Sequence, residues 1–197
     1  MANASAVLPV IETPRLVLRA LEEADAPSIF RYCSVPEIAE HTTWEAHRSL
    51  EDSQQFIREV AFKNYARGLP CPFAIVLKEQ PDSVVGTVGL VWASESNRCM
   101  ELGYALDLGL RGKGITVEAC RSVMSHVFES VRPERIQARC KTANMASARV
   151  MEKLGMQREG VLRAGSLHRG KFVDVYLYSA LRAEWTAPAA KAAAGEG

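Results

Sequence analysis

Two glycines set between a strand pattern and a helix pattern constrain this chain more than any other feature. Met100, Leu102, Tyr104, Leu106 and Leu108 alternate with more polar neighbours, which predicts a half-buried strand. Arg111-Gly112-Lys113-Gly114 breaks the alternation. Cys120, Val123, Met124, Val127, Phe128 and Val131 then recur at three- and four-residue spacing, the stripe of a helix that lays one face on a sheet. A helix entered through glycine presents unpaired N–H groups and the positive end of its dipole. That suits an anion, most often phosphate.

Two familiar phosphate loops do not fit. A Walker loop places Lys and Ser/Thr directly after its second glycine; here Ile115 and Thr116 follow Gly114. A dinucleotide fingerprint needs a third glycine where this chain has Val117. The formal net charge of +1 gives no global field to attract nucleic acid, so any anion site has to be local. No apolar run approaches the ~18 residues of a membrane span, and the start of the chain lacks a signal-peptide pattern. Five cysteines, odd in number and without C-x-x-C spacing, read as small core hydrophobes in a reducing cytoplasm. The four histidines form no ligand constellation, and no metal is expected.

The 197 residues suit one domain. Residues 1–9 read as a frayed N-terminus, 10–185 as the domain, and the alanine-rich 186–197 as a disordered tail. Within the domain, Arg15–Arg19 predicts a short strand and Leu21–Ser34 a helix with Asp25 as its cap. Val35–Arg48 reads as a loop, and Ser49–Arg67 as a second helix opened by a Ser49/Asp52 capping box. Phe73–Leu77, a turn at Gln80–Ser83 and Val84–Trp92 form a hairpin leading to the central strand. After the long helix come a strand at Ile136–Cys140, a helix capped by Asn144 and stopped by Gly155, and a closing hairpin around Arg169-Gly170. The order implies an α/β fold with a mixed sheet of six or seven strands.

Three stretches in this order resemble the GNAT acyl-CoA N-acyltransferases, in the branch typified by the ribosomal-protein N-terminal alanine and serine acetyltransferases. They are the loop Arg111–Thr116 against Q/R-x-x-G-x-G/A, the segment Asn144–Met156 against N-x-x-S-x-x-x-x-E-K-x-G-F, and Arg169–Val175 in the closing hairpin. The opening Thr13-Pro14-Arg15-Leu16-Val17-Leu18-Arg19 is also typical of that branch, so the resemblance spans about Thr13 to Trp185. Thr116 departs from the usual Gly/Ala, so its extra bulk has to point away from the phosphates.

The resemblance implies a single-domain, mostly antiparallel sheet with helices on both faces and a central strand pair splayed by a bulge. It implies acetyl-CoA as acyl donor and a primary amine as acceptor, either a protein N-terminus or a small molecule. Leu106 and Leu108 would offer backbone groups to the pantetheine arm and the thioester oxygen. Arg111, Gly112, Lys113, Gly114, Ile115 and Thr116 would cradle the pyrophosphate. Asn144 would contact the pantetheine, and Lys153 would face the 3′-phosphate. Ser147 would give the leaving thiolate its proton, since Met151 stands where many family members have a tyrosine. Its other reading is a serine satisfied by the first turn of its own helix.

Glu101, working through a water, would be the general base. A hairpin glutamate used by some of the branch aligns loosely with Ser166, leaving His168 as the nearby alternative. Trp44, in the Val35–Arg48 loop, would line the acceptor pocket with His168. A cytoplasmic monomer or homodimer is expected, with no nucleic-acid or membrane partner. The alternative is a CoA-binding sensor or interaction module that has lost catalysis.

Overall fold

A computed structural model describes residues 8–185. Most of the expected frayed start and all of the expected disordered tail lie outside the described residues. Leu8, assigned to the frayed start, is buried in the core.

The sheet has eight strands rather than six or seven, in the order β1-β2-β3-β4-β5-β6-β8-β7. They are β1 (Ile11–Glu12), β2 (Leu16–Ala20), β3 (Phe73–Leu77), β4 (Gln80–Ser94), β5 (Cys99–Leu106), β6 (Arg135–Lys141), β7 (Gln157–His168) and β8 (Lys171–Leu181). The extra strand is β1, only two residues long and too short for a periodic signal. Every pairing is antiparallel except β5 with β6. The turn expected at Gln80–Ser83 lies instead at Lys78–Glu79. Val76 pairs with Val84 and Leu77 with Gln80, so Pro81, Asp82 and Ser83 bulge out of β4. A bulge tolerates proline because its missing N–H leaves no ladder bond unmade.

Alternation along the strands divides the core between the two faces. Phe73, Ile75, Met100, Leu102 and Leu106 turn toward α5 (Ile115–Ser130) and α6 (Met145–Lys153), where Val123, Met124, Val127 and Met151 are fully buried. Ala74, Val76 and Val84 turn to the other face, against α1 (Ala26–Cys33) and the long second helix. That helix begins with the expected capping box: Ser49 accepts from the Asp52 N–H, and Asp52 accepts from the Ser49 N–H. It runs as α3 (Leu50–Phe56), a π-helical stretch (Ile57–Phe62) and α4 (Lys63–Ala66). The expected loop at Val35–Arg48 contains one short helical turn, α2 (Pro36–Ala39). Asp25 does not cap α1 with its side chain; its two oxygens accept from Arg19, each at 2.8 Å. All five cysteines are free thiols.

Candidate active site

The parallel pair β5–β6 is joined for only three residues: Cys99, Met100 and Glu101 opposite Arg135, Ile136 and Gln137. Beyond them each strand continues alone on this side, β5 to Leu106 and β6 to Lys141, so the two diverge into an open V. On its other side β5 stays in unbroken register with β4 from Met100 to Leu106, so no bulge in that ladder makes the V. Because Asp107 gives its N–H to the Val85 carbonyl of β4, alternation turns the backbone groups of Leu106 and Tyr104 toward the open edge. Leu108 is not on the strand. It begins a 3₁₀ turn (Leu108–Leu110) opened by the Asp107 side chain, and its carbonyl accepts from the Arg111 N–H.

The strand delivers the chain to the glycine loop. Gly112 and Gly114 have φ of 78° and 77°, the left-handed region that side chains disfavour. Gly114 is the N-cap of α5 and supplies no capping side chain, so the N–H groups of the first turn are left for an outside acceptor. Arg111 and Lys113 are exposed beside them and enter no ion pair among the described residues. Ile115 is buried in the core, and Thr116, next along the helix, is partly buried.

The loop is braced from the far end of the chain. Arg15 gives Nη1–H to the Lys113 carbonyl at 2.9 Å and Nε–H to Glu118 Oε2 at 2.6 Å. Glu118 Oε1 also accepts from the Thr13 hydroxyl at 2.6 Å. Partial burial alone would raise the Glu118 carboxyl; the bonds from Thr13 and Arg15 outweigh it and hold the pKa below the ordinary value.

At the V itself, α6 projects Ser147. Asn144 is its N-cap, and the side-chain oxygen accepts from the Ser147 N–H at 3.1 Å. The Ser147 hydroxyl is not consumed by the helix. Its Oγ lies 2.7 Å from the Tyr104 hydroxyl, which reaches across from β5. Burial pushes the Tyr104 pKa well up, so the phenol keeps its proton. Met151 is fully buried and takes no polar part. Lys153 ends α6 exposed, and its carbonyl accepts from Arg121 of α5 at 2.6 Å.

The other face of the V carries Glu101, at the last paired position. Its oxygens accept from Gln137 Nε2 at 2.9 Å and Arg139 Nε at 3.0 Å. Trp44 is partly buried against the α1 side of the core. Its ring lies 5.7 Å from that of His47, which in turn gives its backbone N–H to the Cys33 carbonyl and pairs ring Nδ1 with Ser53 Oγ at 2.8 Å. His168 sits at the end of β7, partly buried, beside the Arg169-Gly170 turn.

The structure thus brings together the Arg111–Thr116 loop, the inner edge of β5, Asn144 and Ser147 on one face, with Glu101 and the approach from His168 on the other. Sequence reasoning missed Tyr104, Arg15 and Glu118. Tyr104 was visible only as one apolar beat of a strand. Arg15 stood in a stretch noted for its resemblance, and nothing local gave it a partner 103 residues away.

Residues 15–157 match the family model described as "Acetyltransferase (GNAT) domain". An N-acetyltransferase of Bacillus licheniformis termed p20, itself uncharacterized, is 32% identical over 88% of this chain and 96% of its own. A GNAT-family acetyltransferase from Bacillus anthracis superposes with a TM-score of 0.79 at 26% identity, over 89% of this chain and 100% of that one. RimL, a ribosomal L7/L12 alpha-N-protein acetyltransferase solved with coenzyme A, shares the fold at a TM-score of 0.76 and 21% identity, over 89% and 97% of the two chains. With the glycine-entered helix, the V and the matched family model in agreement, this chain belongs to the GNAT acetyltransferases.

Proposed function

We propose that the chain moves an acetyl group from acetyl-CoA to a primary amine by direct transfer within a ternary complex. The observation that carries this reading is the Tyr104–Ser147 hydroxyl pair at the open edge of β5, one strand-end away from a helix start that no side chain caps, flanked by Arg111 and Lys113. The donor fits. Its pyrophosphate matches the first turn of α5 and the two loop cations, and its pantetheine amides match the free backbone groups of Tyr104 and Leu106. RimL, alike in fold, was solved with coenzyme A.

In the reaction the amine nitrogen bonds to the thioester carbonyl carbon, the C–S bond breaks, and the sulfur leaves with the electron pair. If Tyr104 donates to Ser147 Oγ, the serine's own hydrogen is free to go to that sulfur. The N-terminal end of α6 steadies the negative charge as it develops. The proton shed by the amine goes to solvent, and Ser147 is reprotonated from there.

Glu101, expected as base, has both oxygens occupied by Gln137 and Arg139. We assign it the apex of the V, where it ties β5 to β6 at the last paired register. An α-amine, with a pKa of about 7.7–8.0, is already partly neutral near pH 7 and needs no strong base. Asn144 holds α6 in place for Ser147, and the acceptor enters from the side of the 35–48 loop and His168.

The test is calorimetry with acetyl-CoA, then a peptide and small-amine panel read by release of free CoA thiol. Binding with thiol release is expected. Binding without release on any amine would leave the chain a CoA-binding module.

A further inference from the structure

The acceptor entrance has a charge of its own. Lys141 ends β6, four residues beyond the apex residue Gln137 and on the same face by the two-residue period of a strand. The β7–β8 hairpin overhangs it. Lys141 pairs with Val175, and β8 begins four residues earlier, at Lys171. The overhang is bent, because Leu162 pairs with Val175 and Ser166 with Val173, so extra residues bulge from β7. Asp174 holds the bulge by accepting from the Ala164 N–H at 2.8 Å. The tip then turns through Arg169 and Gly170, with φ of 47° and 77°. Arg169 comes to share a hollow of about 390 Å³ with Ser34, Glu45, His47 and Arg48.

Lys141 therefore meets the 35–48 loop at Glu40, and Arg169 meets it at the hollow with His168 next to it in the hairpin; these contacts mark the mouth of the acceptor side. None of the three side chains makes an ion pair among the described residues: Lys141 gives its ammonium to a backbone carbonyl, that of Glu40. Arg48 is paired with Glu45 and Arg139 with Glu101, so neither adds free charge. With Glu45 held by Arg48, the opposing group that acts on both Lys141 and His168 is the Glu40 carboxylate. Its pull is outweighed: slight desolvation, then Lys141, Arg169 and His41, lower the His168 pKa against it. Burial and then Arg169 lower the Lys141 pKa in the same way. Lys141 and Arg169 together exceed the one unpaired carboxylate, Glu40, and repel each other unless a further anion joins them, with the His168 imidazole beside them as a hydrogen-bonding partner.

Resting on the transferase reading, we propose that the acceptor amine is followed by an anionic group, a carboxylate, held at the mouth by Lys141, Arg169 and His168. This argues against polyamines and aminoglycosides, whose further positive charges would meet like charge. Two sources of that carboxylate, an acidic side chain early in a peptide and the α-carboxylate of a free amino acid, share this chemistry.

The test measures binding to the CoA-loaded protein of three peptide amides with a free N-terminus: Ser-Asp-Glu, Ser-Gln-Gln and Ser-Lys-Lys. Free aspartate and alanine form a second arm that separates the two sources. Arg169→Asn and Arg169→Asp serve as variants because Asn-Gly and Asp-Gly suit a turn of two positive φ, so the hairpin survives the loss of charge. The acidic peptide is expected to bind about tenfold more tightly than the neutral one at low salt, with the advantage shrinking as salt rises. Arg169→Asn and Lys141→Gln should each reduce that advantage by about threefold, and Arg169→Asp should favour the lysine peptide. Acetyl-CoA affinity, unchanged, reports the fold. Equal affinity for acidic and neutral peptides in the parent protein, or an acidic preference that survives Arg169→Asp with Lys141→Gln, overturns the proposal. Absence of turnover with every amine would overturn the transferase reading, and the binding data would still decide this one.

Discussion

The Tyr104 hydroxyl lies 2.7 Å from Ser147 Oγ, joining the central strand to the helix that follows β6 across the open side of the V. The contact links residues 43 apart in sequence and gives the serine a partner outside its own helix. A buried phenol that keeps its proton can fix the serine's orientation without competing for the proton that the proposed transfer gives to the thiolate.

From this follows the first prediction. Ser147→Ala should leave acetyl-CoA affinity within about threefold and lower kcat by roughly 10²-fold, the low end for a lost general acid. Tyr104→Phe should lower kcat less, about tenfold, and the double variant should be no worse than Ser147→Ala alone. Steady-state kinetics on an amine substrate check all three. Full kcat in Ser147→Ala would return that serine to a purely structural part.

Gly114→Val places a β-branched residue at a φ of 77° and pushes the loop from the phosphate path. Acetyl-CoA should bind at least tenfold more weakly, ~1.4 kcal/mol, and the melting temperature should fall by a few degrees from backbone strain alone, since an added Cβ meets only the tip of Arg15 at 3.5 Å. Unchanged affinity by calorimetry would remove the loop from the donor site.

Arg15→Gln cuts the brace on the same loop without touching the loop's own residues. The expected result is a three- to tenfold rise in the acetyl-CoA dissociation constant with kcat at saturation nearly unchanged, since only the positioning of the loop suffers. Equal loss of kcat would place Arg15 nearer the chemistry than the structure does.

Glu101→Gln separates an apex clamp from a base. The amide can still accept from Gln137 or Arg139, so we expect kcat within about fivefold and an unaltered acid limb of the pH–rate profile. A fall of 10²-fold with loss of that limb would make Glu101 the base after all.

Glu159 gives a pH-dependent prediction away from the site. Bonds from Arg135, at 2.5 Å to each oxygen, and then from Ser179, pull its pKa down to about 2. The folded pKa lies below the ordinary 4.5, so the unfolded chain binds the proton more readily. The stabilisation is complete above about pH 4.5 and fades as the pH falls toward about 2. The side chain is 40% exposed, so screening holds it to about 1 kcal/mol or less. Glu159→Gln should melt lower than the parent at pH 7 and nearly with it at pH 2.5; a constant gap would contradict the assignment.

The sequence by itself determined what depends on neighbours along the chain. The apolar stripe of α5, the Ser49/Asp52 box, the Asn144 cap and the glycines at positive φ are local effects, and each stands where the pattern placed it. The glycine loop and the helix it opens were legible because a strand, a glycine break and an amphipathic stripe are all written in consecutive residues. Tertiary structure decided what depends on which strands meet. That β5 and β6 part after Glu101, that Glu101 is thereby engaged by Gln137 and Arg139, and that Arg15 braces Lys113 are consequences of strand order and register. Tyr104 shows the difference most directly. Period-two alternation gave the face it points to, and only the packing of α6 on that face gave its hydroxyl the partner that makes it more than a core residue.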